Sequence, residues 1–148
     1  MAAARRGPLG NPALARALLM AANLPADDLE ASAVQLIGAW LGDELVGVVG
    51  LERHGRDGLL RSLVVRPDSR GEGLGGSLLD ALEAQAAAAG IERLWLLTET
   101  AEVFFAARGY AVVARTAAPT AIAASREFAG LCPASATCMT LPLGPDTA

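Results

Sequence analysis

The chain has 148 residues, 53% of them hydrophobic, and a formal net charge of −4. That length fits one ordinary domain with a real core, so a single domain over residues 1–148 is expected. Much of the apolar share is alanine, and no apolar run approaches the roughly 20 residues of a bilayer span, so no membrane role is expected. There is no basic block to hold a nucleic acid backbone, which leaves a small molecule as the expected partner.

Two cysteines, Cys132 and Cys138, are too few for a disulfide framework and lack CxxC spacing. Both read as reduced thiols, with no metal site. Arg5 and Arg6 are followed by Pro8, Gly10, Asn11, Pro12 and Arg16, which break any export-type apolar stretch, so a cytoplasmic protein is expected.

In chain order, "NPALARALLMAA" carries Leu14, Leu18, Leu19 and Ala22 at helical spacing with Asn11 as cap and Pro12 in the first turn, predicting a first helix. "SAVQLIGAWL" and "ELVGVVGLERH" flank Gly42-Asp43 as a hairpin does. A second turn at residues 54–58 leads into "LLRSLVV", completing an antiparallel meander. After a glycine-rich loop, Leu74, Leu78, Leu79, Leu82 and Ala86 share one helical face, and Gly90 stops that helix. "IERLWLL" reads as a buried strand parallel to "LLRSLVV", because a helix joins them. "AEVFFAAR" is a short helix ended by Gly109, "YAVVART" a strand, residues 119–130 a helix, and "TCMTLPL" a last strand.

The glycine loop carries two patterns. Gly71, Gly73 and Gly76 satisfy G-x-G-x-x-G, with Glu99 downstream as a ribose-binding acid would be. Against a dinucleotide fold, Pro67-Asp68-Ser69-Arg70 separates strand from motif, and too little chain follows for the second half of a doubly wound sheet. The other pattern is R-x-x-G-x-G, met by Arg70, Gly73 and Gly75. Glycines there let backbone N–H groups crowd an anion at a helix N-terminus, a geometry suited to pyrophosphate. A glycine-rich turn without a ligand is the plain alternative.

"LRSLVVRPDSRGEGLGGSLLDALEAQAAAAG" resembles motif A of the GCN5-related N-acetyltransferases (GNAT), and the meander, "IERLWLLTET" and "FFAARGY" extend the likeness over most of the chain. Within that superfamily, "GLERHG", "LLTETAEVFFAARGY" and "APTAIAASREFAGLCPASATCM" resemble the small acetyltransferases associated with arsenic-resistance operons. The resemblance implies an α/β (α+β) GNAT fold: a mixed, mostly antiparallel sheet with a central splayed parallel strand pair and helices on both faces.

It also implies acetyl-coenzyme A as cosubstrate and an amine acceptor. Backbone groups at Leu63, Val64 and Val65 would meet the pantetheine and polarise the thioester carbonyl, while Arg70, Gly71, Gly73, Leu74, Gly75 and Ser77 would take the pyrophosphate. Glu52 is the first candidate base and Glu99 the second; a solvated strand-end carboxylate is the plain reading of Glu52. Arg61 is a candidate grip for an anionic substrate group, or a solubilising charge at a strand edge. Where many members carry a tyrosine to protonate the thiolate, this chain has Phe105, which cannot donate a proton. A coenzyme-binding module with little catalysis is therefore the alternative function. The exposed edges of so small a sheet leave room for a homodimer.

Overall fold

A computed structural model describes residues 5–9, 12–21, 34–69, 73–125, 128 and 135–143. The strands are β1 (Arg5–Pro8), β2 (Val34–Leu41), β3 (Glu44–His54), β4 (Asp57–Val65), β5 (Arg93–Thr98), β6 (Ala111–Val112) and β7 (Thr137–Pro142), and the helices α1 (Pro12–Ala21), α2 (Leu74–Ala88), α3 (Glu102–Ala107) and α4 (Thr120–Ala123). Hydrogen bonding orders the strands β1-β2-β3-β4-β5-β7-β6 in one mixed sheet. The described pairings are antiparallel except β4 with β5, whose parallel register is Asp57↔Arg93, Gly58↔Leu94 and Leu59↔Trp95. β4 then continues to Val65.

The chain forms two compact units. The first comprises Met1–Glu52 and Arg61–Gln85. Its meander begins with a hairpin in which Gly42, at φ 61°, takes the left-handed backbone that a two-residue turn demands. The core here gathers Leu9, Ala15, Leu19, Leu36, Val48 and Val64. The expected stripe of α2 is fully inward: Leu78, Leu79 and Leu82 are 0% exposed.

One strand was not expected. β1 pairs with β2 from Arg5↔Trp40 to Pro8↔Ile37. A sequence of Arg-Arg-Gly-Pro has no strand periodicity, but at a sheet edge only one side of the backbone must pair, so Pro8 is tolerated. Arg5 also lies over the Trp40 ring at 4.8 Å, which offsets part of the cost of ordering it.

The second unit comprises Arg53–Leu60 and Ala86–Ala148. Leu59, Trp95, Ile122, Phe128 and Cys138 form its core. Two of its turns share one device. At the end of α2, Ile91 N–H reaches Ala86 O and Gly90 N–H reaches Ala87 O, with Gly90 at φ 87°. At the end of α3, Tyr110 N–H reaches Phe105 O and Gly109 N–H reaches Ala106 O, with Gly109 at φ 97°. Both are Schellman caps, and in the second the rings of Phe105 and Tyr110 supply the apolar contact that accompanies one. The expected strand 110–116 shortens to β6, because Arg115–Ala117 turns into a 3-10 helix. The helix expected over 119–130 is corrected to Thr120–Ala123: Ala124 caps it and Ser125 already bends away, while residues 126, 127, 129 and 130 lie outside the described ones.

Candidate active site

In the first unit the end of β4 and the start of α2 make the loop that the sequence singled out. Arg66 N–H donates to Val46 O at 2.8 Å, and its guanidinium binds Glu44 and Asp68, each at 2.7 Å. The hydrogen bond to Glu44 raises the Arg66 pKa above its ordinary value, with Asp68 adding to the rise and burial opposing it. This clamp fixes a 3-10 turn, Pro67–Ser69, ahead of the glycines. Arg66 was not among the expected site residues; its spacing to Asp68 was the one available signal.

Ser77 N–H donates to Gly73 O at 2.9 Å, the first intrahelical bond of α2. The N–H groups of Gly73, Leu74, Gly75 and Gly76 therefore precede any helical partner. Gly73 holds φ 78°, open to glycine and costly to a residue with a Cβ. Leu74 is buried, while Gly75, Gly76 and Ser77 are half-buried. The buried Leu74 side chain anchors the turn, and these backbone donors stand at the positive end of a 15-residue helix. Arg70 and Gly71 lie outside the described residues.

β4 supplies the second feature. Val64 is buried in the core cluster, whereas Leu63 and Val65 are half-buried on the alternate face. Just before them Ser62 has φ 62°, the one non-glycine residue at positive φ among those described. A left-handed residue inside a strand turns it locally, as bulge residues do. β3 accommodates this with glycine: a Cβ at Gly50 would lie 3.3 Å from the Arg61 carbonyl.

Glu52 and Arg61, expected separately as base and substrate grip, come together. Arg61 Nη1 lies 4.0 Å from Glu52 Oε1, with side chains 0% and 7% exposed respectively. The separation is that of an ion pair, too long for a hydrogen bond. Arg61 Nε donates to Ser62 Oγ at 3.3 Å. Neither charge is the solvated strand-end group of the plain reading. As a charge in a strand, Arg61 read as a substrate grip or a solubilising group at a sheet edge, and nothing in the sequence signalled the left-handed Ser62.

The second unit holds the other expected groups. Glu99 is exposed in the bend after β5. Phe105 is buried against Tyr110, ring centroids 5.3 Å apart and edge-on at 67°, so both rings belong to the cap of α3. Thr98 Oγ1 accepts from Ala101 N–H at 3.0 Å. Cys138 is buried in the core; burial pushes its thiol pKa up, and Arg115 opposes this more weakly. Cys132 lies outside the described residues. Among the described residues no cluster of three or more His, Cys, Asp or Glu could hold a metal ion, and no helix is long and apolar enough to cross a membrane.

The sequence matches the "Acetyltransferase (GNAT) family" over residues 13–111. No curated protein matches it in sequence. Among solved structures, it is similar to N-acetylglutamate synthase from Neisseria gonorrhoeae complexed with coenzyme A and N-acetyl-glutamate, with a TM-score of 0.78 and 19% identity over 98% of this chain and 36% of the synthase. The chain thus spans about a third of that enzyme. A GNAT-family acetyltransferase from Staphylococcus aureus Mu50 gives a TM-score of 0.78 and 16% identity over 95% of this chain and 99% of the other. An aminoglycoside 6'-N-acetyltransferase complexed with coenzyme A gives 0.74 and 17% over 97% and 99%.

Proposed function

The chain belongs to the acetyltransferase (GNAT) family, whose donor is acetyl-coenzyme A, and on that premise we propose that it acetylates a primary amine of a small molecule by direct attack on the thioester. The observation that carries this reading is the start of α2, where four backbone N–H groups precede the first helical bond behind a left-handed Gly73. A pyrophosphate is the anion such a row of donors suits. We take residues 1–148 as one acetyltransferase domain and assign the diphosphate to Arg70, Gly71, Gly73, Leu74, Gly75 and Ser77.

The amine nitrogen bonds to the carbonyl carbon, the C–S bond breaks, and coenzyme A leaves as thiolate. Backbone N–H groups in the Leu63–Val65 segment stabilise the oxyanion. Glu52 receives the proton from the ammonium, directly or through water, with Glu99 the second candidate; such transfers are typically worth about 10²- to 10⁴-fold. Phe105 supplies no proton to the thiolate, which takes one from solvent or substrate.

The resemblance to acetyltransferases of arsenic-resistance operons leads us to propose an amino-acid-like organoarsenical or a phosphinate analogue as acceptor, in the cytoplasm. The anionic head of such a substrate would reach Arg61 only by competing with Glu52. Phe105 favours one other reading, a module that binds acetyl-coenzyme A with little catalysis.

The test is thiol release from acetyl-coenzyme A against amino acids, phosphinothricin-like and arsenical amines, and polyamines. Turnover on one amine supports the reading and names the acceptor class. Coenzyme binding without turnover on any would favour the binding module.

A further inference from the structure

Arg61 stands in an apolar strand with its side chain fully enclosed. A buried guanidinium needs partners, and removing them is costly. Its partners include two groups of its own chain, Glu52 at 4.0 Å and Ser62 Oγ at 3.3 Å. Ser62 is itself buried and holds φ 62°. A residue with a Cβ keeps that backbone only where its surroundings hold it there. The Nε bond ties the Ser62 side chain to Arg61, and the opposing charge of Glu52 on β3 fixes the other end of the guanidinium.

We propose that Arg61 is a positioning residue that holds the left-handed turn at Ser62 and thereby shapes the Leu63–Val65 backbone for the coenzyme. This rests on the reading above that the Leu63–Val65 backbone meets the pantetheine arm. The chain of effect runs from Glu52 on β3, through the guanidinium, to a strained residue one position before the binding segment. An anionic substrate is not needed to explain the arginine, because the guanidinium is enclosed and directed at its own chain.

The experiment uses coenzyme A itself, titrated calorimetrically into the full chain, with a melting curve on each variant. Arg61→Lys keeps the charge opposite Glu52 but loses the Nε donor, and Ser62→Gly adopts φ 62° without help. We expect Arg61→Lys to bind about tenfold more weakly, the equivalent of one modest backbone strain. In the Ser62→Gly background the same change should cost less than about twofold. Ser62→Ala removes Oγ, leaves a Cβ in the left-handed region and keeps the ion pair; it should bind more weakly than Ser62→Gly.

An undiminished affinity in Arg61→Lys would overturn the inference. So would the same loss in both Ser62 backgrounds, or equal binding by the alanine and glycine variants. If the parent protein binds no coenzyme A, the reading beneath the inference fails and takes the inference with it, an outcome distinct from binding that ignores Arg61.

Discussion

Two buried charges and one buried thiol carry the energetic consequences at the scale of single residues. Glu52→Ala leaves the enclosed Arg61 guanidinium facing a void, and breaking a buried pair in this way typically costs about 3–5 kcal/mol. In a chain of this size that is a fall in Tm of about 10 °C. Glu52→Gln keeps the side-chain volume and a polar group beside the guanidinium and should melt higher than the alanine variant. If Glu52 is the base, the glutamine variant also loses about 10²-fold or more in kcat at saturating coenzyme A, separate from any weakening of coenzyme A affinity that follows from losing the charge opposite Arg61. Calorimetry of both, with rates corrected for the folded fraction, separates the structural from the chemical role; a glutamine variant at full rate removes Glu52 as base. Cys138 gives a pH prediction. Its thiol pKa is raised in the folded state, chiefly by burial, so the folded state binds the proton more tightly than the unfolded chain. That stability is fully present below the ordinary thiol value and is lost as pH rises through the folded one. We expect the unfolding midpoint in urea to fall above the ordinary thiol range in a Cys132→Ser background, and to fall less in Cys132→Ser/Cys138→Ala.

The caps of α2 and α3 are features of whole elements. Both end in a left-handed glycine, and in neither would a Cβ clash: its nearest neighbour would be 4.0 Å away at Gly90 and 3.5 Å at Gly109. The cost of Gly90→Ala or Gly109→Ala is therefore backbone strain alone, about 1–2 kcal/mol each, or a few degrees in Tm. Asparagine tolerates this conformation better, so Gly109→Asn should melt above Gly109→Ala. The reverse order in thermal melts would show that the cap is not what Gly109 supplies. These caps were legible because they are local: glycine after an apolar-periodic run, then an inward residue at Ile91 or Tyr110. The inward stripe of α2 and the hairpin at Gly42 were legible for the same reason. β1 was not, since its pairing with β2 comes from distant chain and its own residues carry no period. The Glu52–Arg61 pair was equally hidden; each residue was visible as a candidate, but their meeting depends on how β3 lies against an irregular β4.

At the scale of the whole molecule, composition and ligand linkage bear on how the proposed activity is read. All twelve basic residues are arginine, so the chain offers no side-chain amine as an acetyl acceptor. A guanidinium stays protonated and is a poor nucleophile. Incubation with acetyl-coenzyme A should consequently leave every side-chain nitrogen unmodified by mass spectrometry, so that, the α-amine aside, an N-acetylated amine found in the reaction is the added acceptor. Binding itself is read from stability, because a ligand that binds only the folded state at a hundred times its Kd adds about 2.7 kcal/mol. For a chain of this length that is a rise in Tm of about 5–10 °C. Coenzyme A should produce it, and NAD should not, since the strand and the G-x-G-x-x-G letters are separated by the clamped turn at Arg66–Ser69 instead of meeting in a tight turn. A Tm rise with NAD and none with coenzyme A would move the glycine loop from the diphosphate of an acyl carrier to that of a dinucleotide.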